Sequence, residues 1–125
     1  PILQRIPPED PFLFELLEAF RRYGRPALFH TGEFDYFITR DPHARFGDVC
    51  RLERLIAAFP DLPIILGHMG LYHPERALEL ARRHDNVYLE TSFQPLKVVR
   101  RLSGWRAGRG SSSVPTGRRA TPPSL

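Results

Sequence analysis

The chain is short of several residue types, and each shortage excludes something. Cys50 is the single cysteine among 125 residues. No disulfide can form within the chain, and cysteine usage points to a reducing, cytoplasmic setting. No CxxC pair is present to hold a metal through thiolates. No apolar run approaches the roughly 20 residues of a membrane-spanning helix, and no stretch reads as a signal peptide, so no membrane partner is expected. The chain opens on Pro1 rather than Met and reads as continuing upstream. A glycine-rich phosphate loop, a GxSxG elbow and a dinucleotide fingerprint are all missing. Acid is missing too after Glu90: the 14 acidic residues lie between Glu9 and Glu90.

That last absence locates the charge. The net charge is +4, and the tail contributes Arg106, Arg109, Arg118 and Arg119 with no acid. Residues 1–102 are therefore neutral, and the basic character belongs to the tail alone. Composition also changes at Leu102. Residues 1–102 alternate helical patterns with short apolar runs, which suits one domain. Residues 103–125 are rich in Gly, Ser, Pro, Arg and Thr, and are expected to be disordered.

The first part is clearly punctuated. Asp10 suits an N-cap, Pro11 a first helical position and Gly24 a helix end. Phe12, Leu16, Ala19, Phe20 and Tyr23 share one face of that helix. The run Ala27-Leu28-Phe29-His30 reads as a strand. A second helix is predicted from Asp48 to Phe59, on Val49, Leu52, Leu55, Ile56 and Phe59, with Cys50 packed in its early turns. Ile64-Ile65-Leu66 reads as a second strand, Pro74 to His84 as a third helix and Val87 to Glu90 as a third strand. A fourth helix starts at Pro95 and fades near Ser103. Mostly apolar strands separated by helices predict a parallel sheet covered by helices on its faces.

In parallel α/β folds the functional groups gather at the C-terminal ends of the strands. Here the first strand ends in His30, the second meets His68, and the third ends in Glu90-Thr91-Ser92. Both histidines sit beside glycines, which let the backbone turn tightly and leave an imidazole open to a ligand. Imidazole is the commonest protein ligand for zinc and similar ions. The two could share one metal, or one could bind it while the other moves a proton. A satisfied polar residue at a strand end is the bland alternative for each. Tyr36, Arg40, His43 and Arg45 lie between the first strand and the second helix, where active-site rims form. They are candidate substrate contacts, against the alternative of a solvated loop. His73 is assigned to the start of the third helix and His84 to its end.

Three segments carry a family resemblance. Pro26-Ala27-Leu28-Phe29-His30-Thr31-Gly32 resembles the fifth-strand segment of the amidohydrolase-related family. Residues 59–70, ending in Gly67-His68-Met69-Gly70, resemble its sixth-strand segment, and Asn86-Val87-Tyr88-Leu89-Glu90-Thr91-Ser92 resembles its seventh. The likeness covers residues 10–102, in the family's order. It implies a partial (β/α) TIM-like barrel, holding what resemble strands five to seven. It also implies metal-dependent hydrolysis or decarboxylation, a hydrolase or lyase chemistry, on a small carboxylated or cyclic substrate. The cofactor implied is a divalent metal, with zinc the first expectation. By the same resemblance His30 is a metal ligand. His68 lines the metal site, as a possible second ligand, and helps activate water or position the substrate.

Two family features have no counterpart in this chain: an HxH-type motif on the first strand and an aspartate on the eighth. The tail suggests where the second went. Residues 112–125 can be back-translated with permitted codons and read from one base earlier. They then spell Leu-Phe-Gly-Ser-Asp-Trp-Pro-Pro-Gly-His-Pro-Ala-Val-Ala, which resembles the eighth-strand segment. Only Lys97 among the 18 basic residues is lysine, as a GC-rich gene favours. The expectation is a reading frame that slips between Leu102 and Ser111, with a natural tail as the alternative. The chain alone is then incomplete and inactive. The competing function is a non-catalytic βα binding module whose Arg-rich tail touches anionic partners. Without interleaved aromatics four arginines support this weakly, so nucleic acid is disfavoured as a partner. The sequence carries no signal of oligomeric state.

Overall fold

Asp10 starts the first helix as its residue type suggests: its carboxylate accepts the Phe12 N–H at 2.9 Å. Helix α1 runs Pro11–Arg22 and ends at Gly24, whose φ of 61° is left-handed. Strand β1 (Ala27–His30) follows. The computed structural model describes residues 4–32, 40 and 42–103. After β1 come two 3-10 segments, Pro42–Gly47 and Val49–Leu52, then helix α2 (Glu53–Ala58). Strand β2 (Ile64–Gly67), a 3-10 turn at His68–Gly70, helix α3 (Pro74–Arg83) and strand β3 (Val87–Leu89) complete the order.

The three strands form one parallel sheet in the order β1-β2-β3. Ala27 pairs with Ile64 and Ile64 with Val87; one step on, Leu28 pairs with Ile65 and Ile65 with Tyr88. This register sorts the side chains by face. Ala27, Phe29, Ile64, Leu66 and Val87 are buried with Leu13, Leu17, Leu55, Ile56 and Leu80. On the opposite face Leu28 is 64% exposed and Tyr88 45%. The sequence predicted helical cover on the faces generally; the structure covers one. A partial (β/α) barrel has this asymmetry, because its inner face packs only when the ring is complete.

Three local expectations are corrected. In α1 the deeply buried stripe is Leu13 and Leu17, while Phe12, Leu16 and Tyr23 are exposed. The helix is apolar around much of its girth. Phe12, Leu16 and Phe20 line a groove of about 220 Å³ with Leu28, beside the β1 edge. The single helix expected over Asp48–Phe59 opens instead as a 3-10 segment. Val49, Leu52 and Leu55 recur every third residue, which is the 3-10 period, and all three are buried. Cys50 is an exposed free thiol rather than a packed one, since the buried positions on either side belong to Val49 and Leu52.

The chain divides into two compact units, Pro1–Pro95 and Leu96–Leu125. The first holds every element above. The described part of the second is helix α4 (Leu96–Ser103), and the composition change at Leu102 falls inside it. Residues 104–125, on which most of the expected disorder fell, lie outside the described residues. No helix among the described residues is long and apolar enough to cross a membrane.

Candidate functional site

His30 closes β1 and pairs in register with Gly67, the last residue of β2. His68 follows directly, so both imidazoles leave the sheet at the C-terminal ends of neighbouring parallel strands. Their rings meet edge-on with centroids 4.7 Å apart, and His68 Nε2 lies 3.2 Å from His30 Nδ1. Gly67 permits the approach: a Cβ there would stand 3.0 Å from the Phe29 carbonyl oxygen.

The backbone beyond Gly67 is unusual. His68, Met69, Gly70 and Leu71 all take positive φ, at 61°, 49°, 74° and 55°. For residues other than glycine such conformations cost on the order of 1–3 kcal/mol each and persist only where the surroundings enforce them. Two side chains do so. The Thr31 hydroxyl, fully buried, donates to the Gly67 carbonyl at 2.6 Å and accepts the Gly70 N–H at 2.8 Å. The Gln94 amide donates to the carbonyls of His68 and Leu71, at 2.7 and 2.8 Å. Gly32 also fits only as glycine. Its φ is 114°, and a Cβ there would meet the Leu71 Cβ at 2.5 Å.

The end of β3 supplies the other side of His68. Ser92 Oγ lies 2.5 Å from His68 Nδ1 and donates to Glu90 Oε2 at 2.6 Å. The Glu90 carboxylate also accepts the Ser92 N–H at 2.5 Å and the His68 N–H at 3.1 Å. These bonds hold Glu90 below the usual carboxylate range, the Ser92 hydroxyl contributing most. Burial first, and then the neighbouring His68, push the His30 imidazole below its ordinary value. Phe93 stands edge-on to His68 with centroids 5.1 Å apart.

A profile of the amidohydrolase family matches residues 2–109. The chain belongs to the amidohydrolase family. No curated protein and no solved structure matches it. Three strand ends of this family member thus deliver a tight cluster of two imidazoles, a hydroxyl and a carboxylate.

The divalent metal associated with such a family can be tested against these residues. Two nitrogens bound to one tetrahedral zinc at 2.0–2.1 Å stand about 3.3–3.4 Å apart. His30 Nδ1 and His68 Nε2, at 3.2 Å, match that span. The pair therefore fits as part of a donor set. Among the described residues no group of three or more His, Cys, Asp or Glu side chains could hold a metal. Glu90 lies 3.5 Å from Nδ1 of His68, on the far side of that ring from His30.

The remaining described candidates lie on other segments of the first unit. His43, half-buried, meets Phe46 edge-on at 5.2 Å between centroids. Arg45 is exposed on the same 3-10 turn, and Arg40 is exposed just ahead of it. Tyr36 lies outside the described residues. His73 precedes α3, 3.3 Å from Glu75, and His84 follows it, 3.5 Å from Glu53. Residue-level reasoning gave no role to Ser92, Glu90, Phe93 or Gln94. The position of Glu90 and Ser92 at a strand end was the signal for those two. Phe93 and Gln94 carried none, because their contacts depend on a turn that no periodicity announces.

Proposed function

We propose that this chain is part of a metal-dependent hydrolase or decarboxylase acting on a small carboxylated or cyclic substrate. The observation that carries this is the 3.2 Å approach of His30 and His68 at the C-terminal ends of adjacent parallel strands, in a chain of the amidohydrolase family. A divalent metal, zinc by first preference, would be held on one side by these imidazoles. When bound, such an ion lowers the pKa of a water and polarises a substrate carbonyl or carboxylate.

The chain's own residues divide the rest of the work. His30 supplies a ring nitrogen as donor. In this chain His68 can supply a second. Where the barrel's other strands complete the ligand set, His68 is left to move a proton at Nε2. Arg40, His43 and Arg45 would meet the substrate's carboxylate or ring from the loop side, together with Tyr36. A three-ligand catalytic site needs at least one donor beyond this pair, and the described residues group none with it, so the chain alone is expected to hold metal weakly and to be inactive. The open inner face of the sheet supports the same reading. A reducing compartment suits the exposed thiol of Cys50.

The test compares the 125-residue chain with a protein extended upstream and continued in the shifted frame. Both are assayed for hydrolysis and decarboxylation on a panel of small carboxylated and cyclic compounds, with and without a chelator. Chelator-sensitive turnover in the extended protein alone is expected. Turnover that ignores the chelator would refute the metal-dependent assignment.

A further inference from the structure

We infer that Ser92 and Glu90 form a positioning relay that fixes His68 as the tautomer protonated on Nδ1, with the Nε2 lone pair turned toward His30. The relay deepens the function proposed above and rests on it for the use of that lone pair. Its geometry stands independently.

The assignment follows from hydrogen-bond polarity. Backbone N–H groups can only donate, so Glu90 Oε1 accepts from Ser92 N and Glu90 Oε2 accepts from His68 N. Both carboxylate oxygens are thereby acceptors, and Ser92 Oγ, 2.6 Å from Oε2, is the donor of that contact. A serine hydroxyl has one proton. With it given to Glu90, Ser92 can only accept from the ring nitrogen 2.5 Å away. That nitrogen, His68 Nδ1, must carry the hydrogen. A neutral imidazole has one N–H, so Nε2 is left as a bare acceptor. It lies 3.2 Å from His30 Nδ1, which in the metal-free chain is then the donor of that contact. The direction is continuous: His30 donates to His68, His68 to Ser92, and Ser92 to Glu90.

Both tasks proposed for His68, donating to a metal and accepting a proton, need a lone pair on the cleft side. Histidine ligands are commonly held through their other ring nitrogen, which sets tautomer and orientation. Here a hydroxyl stands between ring and carboxylate. Ser92 and Glu90 touch no reacting atom and act through His68.

The readout is the tautomer itself. Long-range ¹H–¹⁵N correlation spectra of the ¹⁵N-labelled full chain, free of metal and above the imidazole titration range, distinguish Nδ1–H from Nε2–H. His68 is expected as Nδ1–H in the parent chain and in Ser92→Thr, which keeps the hydroxyl. In Ser92→Ala, with backbone amide signals of Ile64–Leu66 unchanged, that preference should collapse toward the mixture of free imidazole. An Nε2–H or mixed His68 in the parent chain would overturn the relay. Full retention of Nδ1–H in Ser92→Ala would remove Ser92 from it. Should Ser92→Ala fail to fold, the parent and Ser92→Thr spectra still decide. A correct tautomer in a chain whose metal titration fails would leave the relay standing and bring down the metal reading.

Discussion

At the scale of single residues, Thr31 does more than its neighbour His30 would suggest. Its buried hydroxyl ties the end of β1 to the left-handed turn that carries His68. Thr31→Val keeps the shape but strands a buried N–H and loosens a carbonyl. A loss of about 1–3 kcal/mol is expected, measured by urea unfolding. A second residue-scale effect depends on pH. Glu9 receives Arg51 through two contacts, at 2.8 and 2.5 Å, and the Arg51 hydrogen bond holds its carboxyl below the usual range. A depressed folded pKa stabilises above the unfolded value and is lost as pH falls through the folded one. Because the pair is partly exposed, its worth is from a few tenths to about 1 kcal/mol. Glu9→Gln should therefore be less stable than the parent near neutral pH, and the gap should close in acid. An equal gap at both pH values would contradict this. The sequence showed His30 and His68 as a pair because strand ends and flanking glycines are local signals. It could not show Thr31 or Gln94 as their supports, since those bonds join residues far apart in the chain.

At the scale of elements, the strands and α3 were legible and the segment before β2 was only half so. Apolar runs bounded by Pro, Gly and Asn gave β1, β2 and β3 to within a residue. The buried set Val49, Leu52, Leu55, Ile56 and Phe59 was also legible, but not its opening as a 3-10 segment. The face of α1 was misread because its apolar residues nearly encircle it. Asn86 showed in the sequence only as the start of the third family-like segment, yet it is buried. Its amide donates to the carbonyls of Phe59 and Leu62 at 2.8 and 3.1 Å, closing the loop between α2 and β2. Asn86→Ala leaves those carbonyls without their donor. A loss of about 1–3 kcal/mol is expected, seen as a lower urea midpoint at an unchanged slope. An unchanged midpoint would show that water replaces the amide.

At the scale of the whole molecule, one covered face and one open face define what this amidohydrolase chain is. Leu28, Ile65 and Tyr88 run in register across the open side, and β1 and β3 each have one neighbour among the described strands. A closed barrel would bury that face and bring further strand ends to the histidines. The shifted-frame reading of the tail belongs to this scale. Sequencing the gene across codons 100–125 should show an open frame encoding Gly-Ser-Asp-Trp-Pro, and its absence would leave the tail as natural sequence. The central claim is that His30 and His68 form one side of a metal site. Calorimetric titration of the chain with zinc tests it most directly, alongside His30→Ala and His68→Ala. The expected result is weak binding of one ion, abolished in His30→Ala and weakened further in His68→Ala. Binding of equal strength in all three proteins would contradict it.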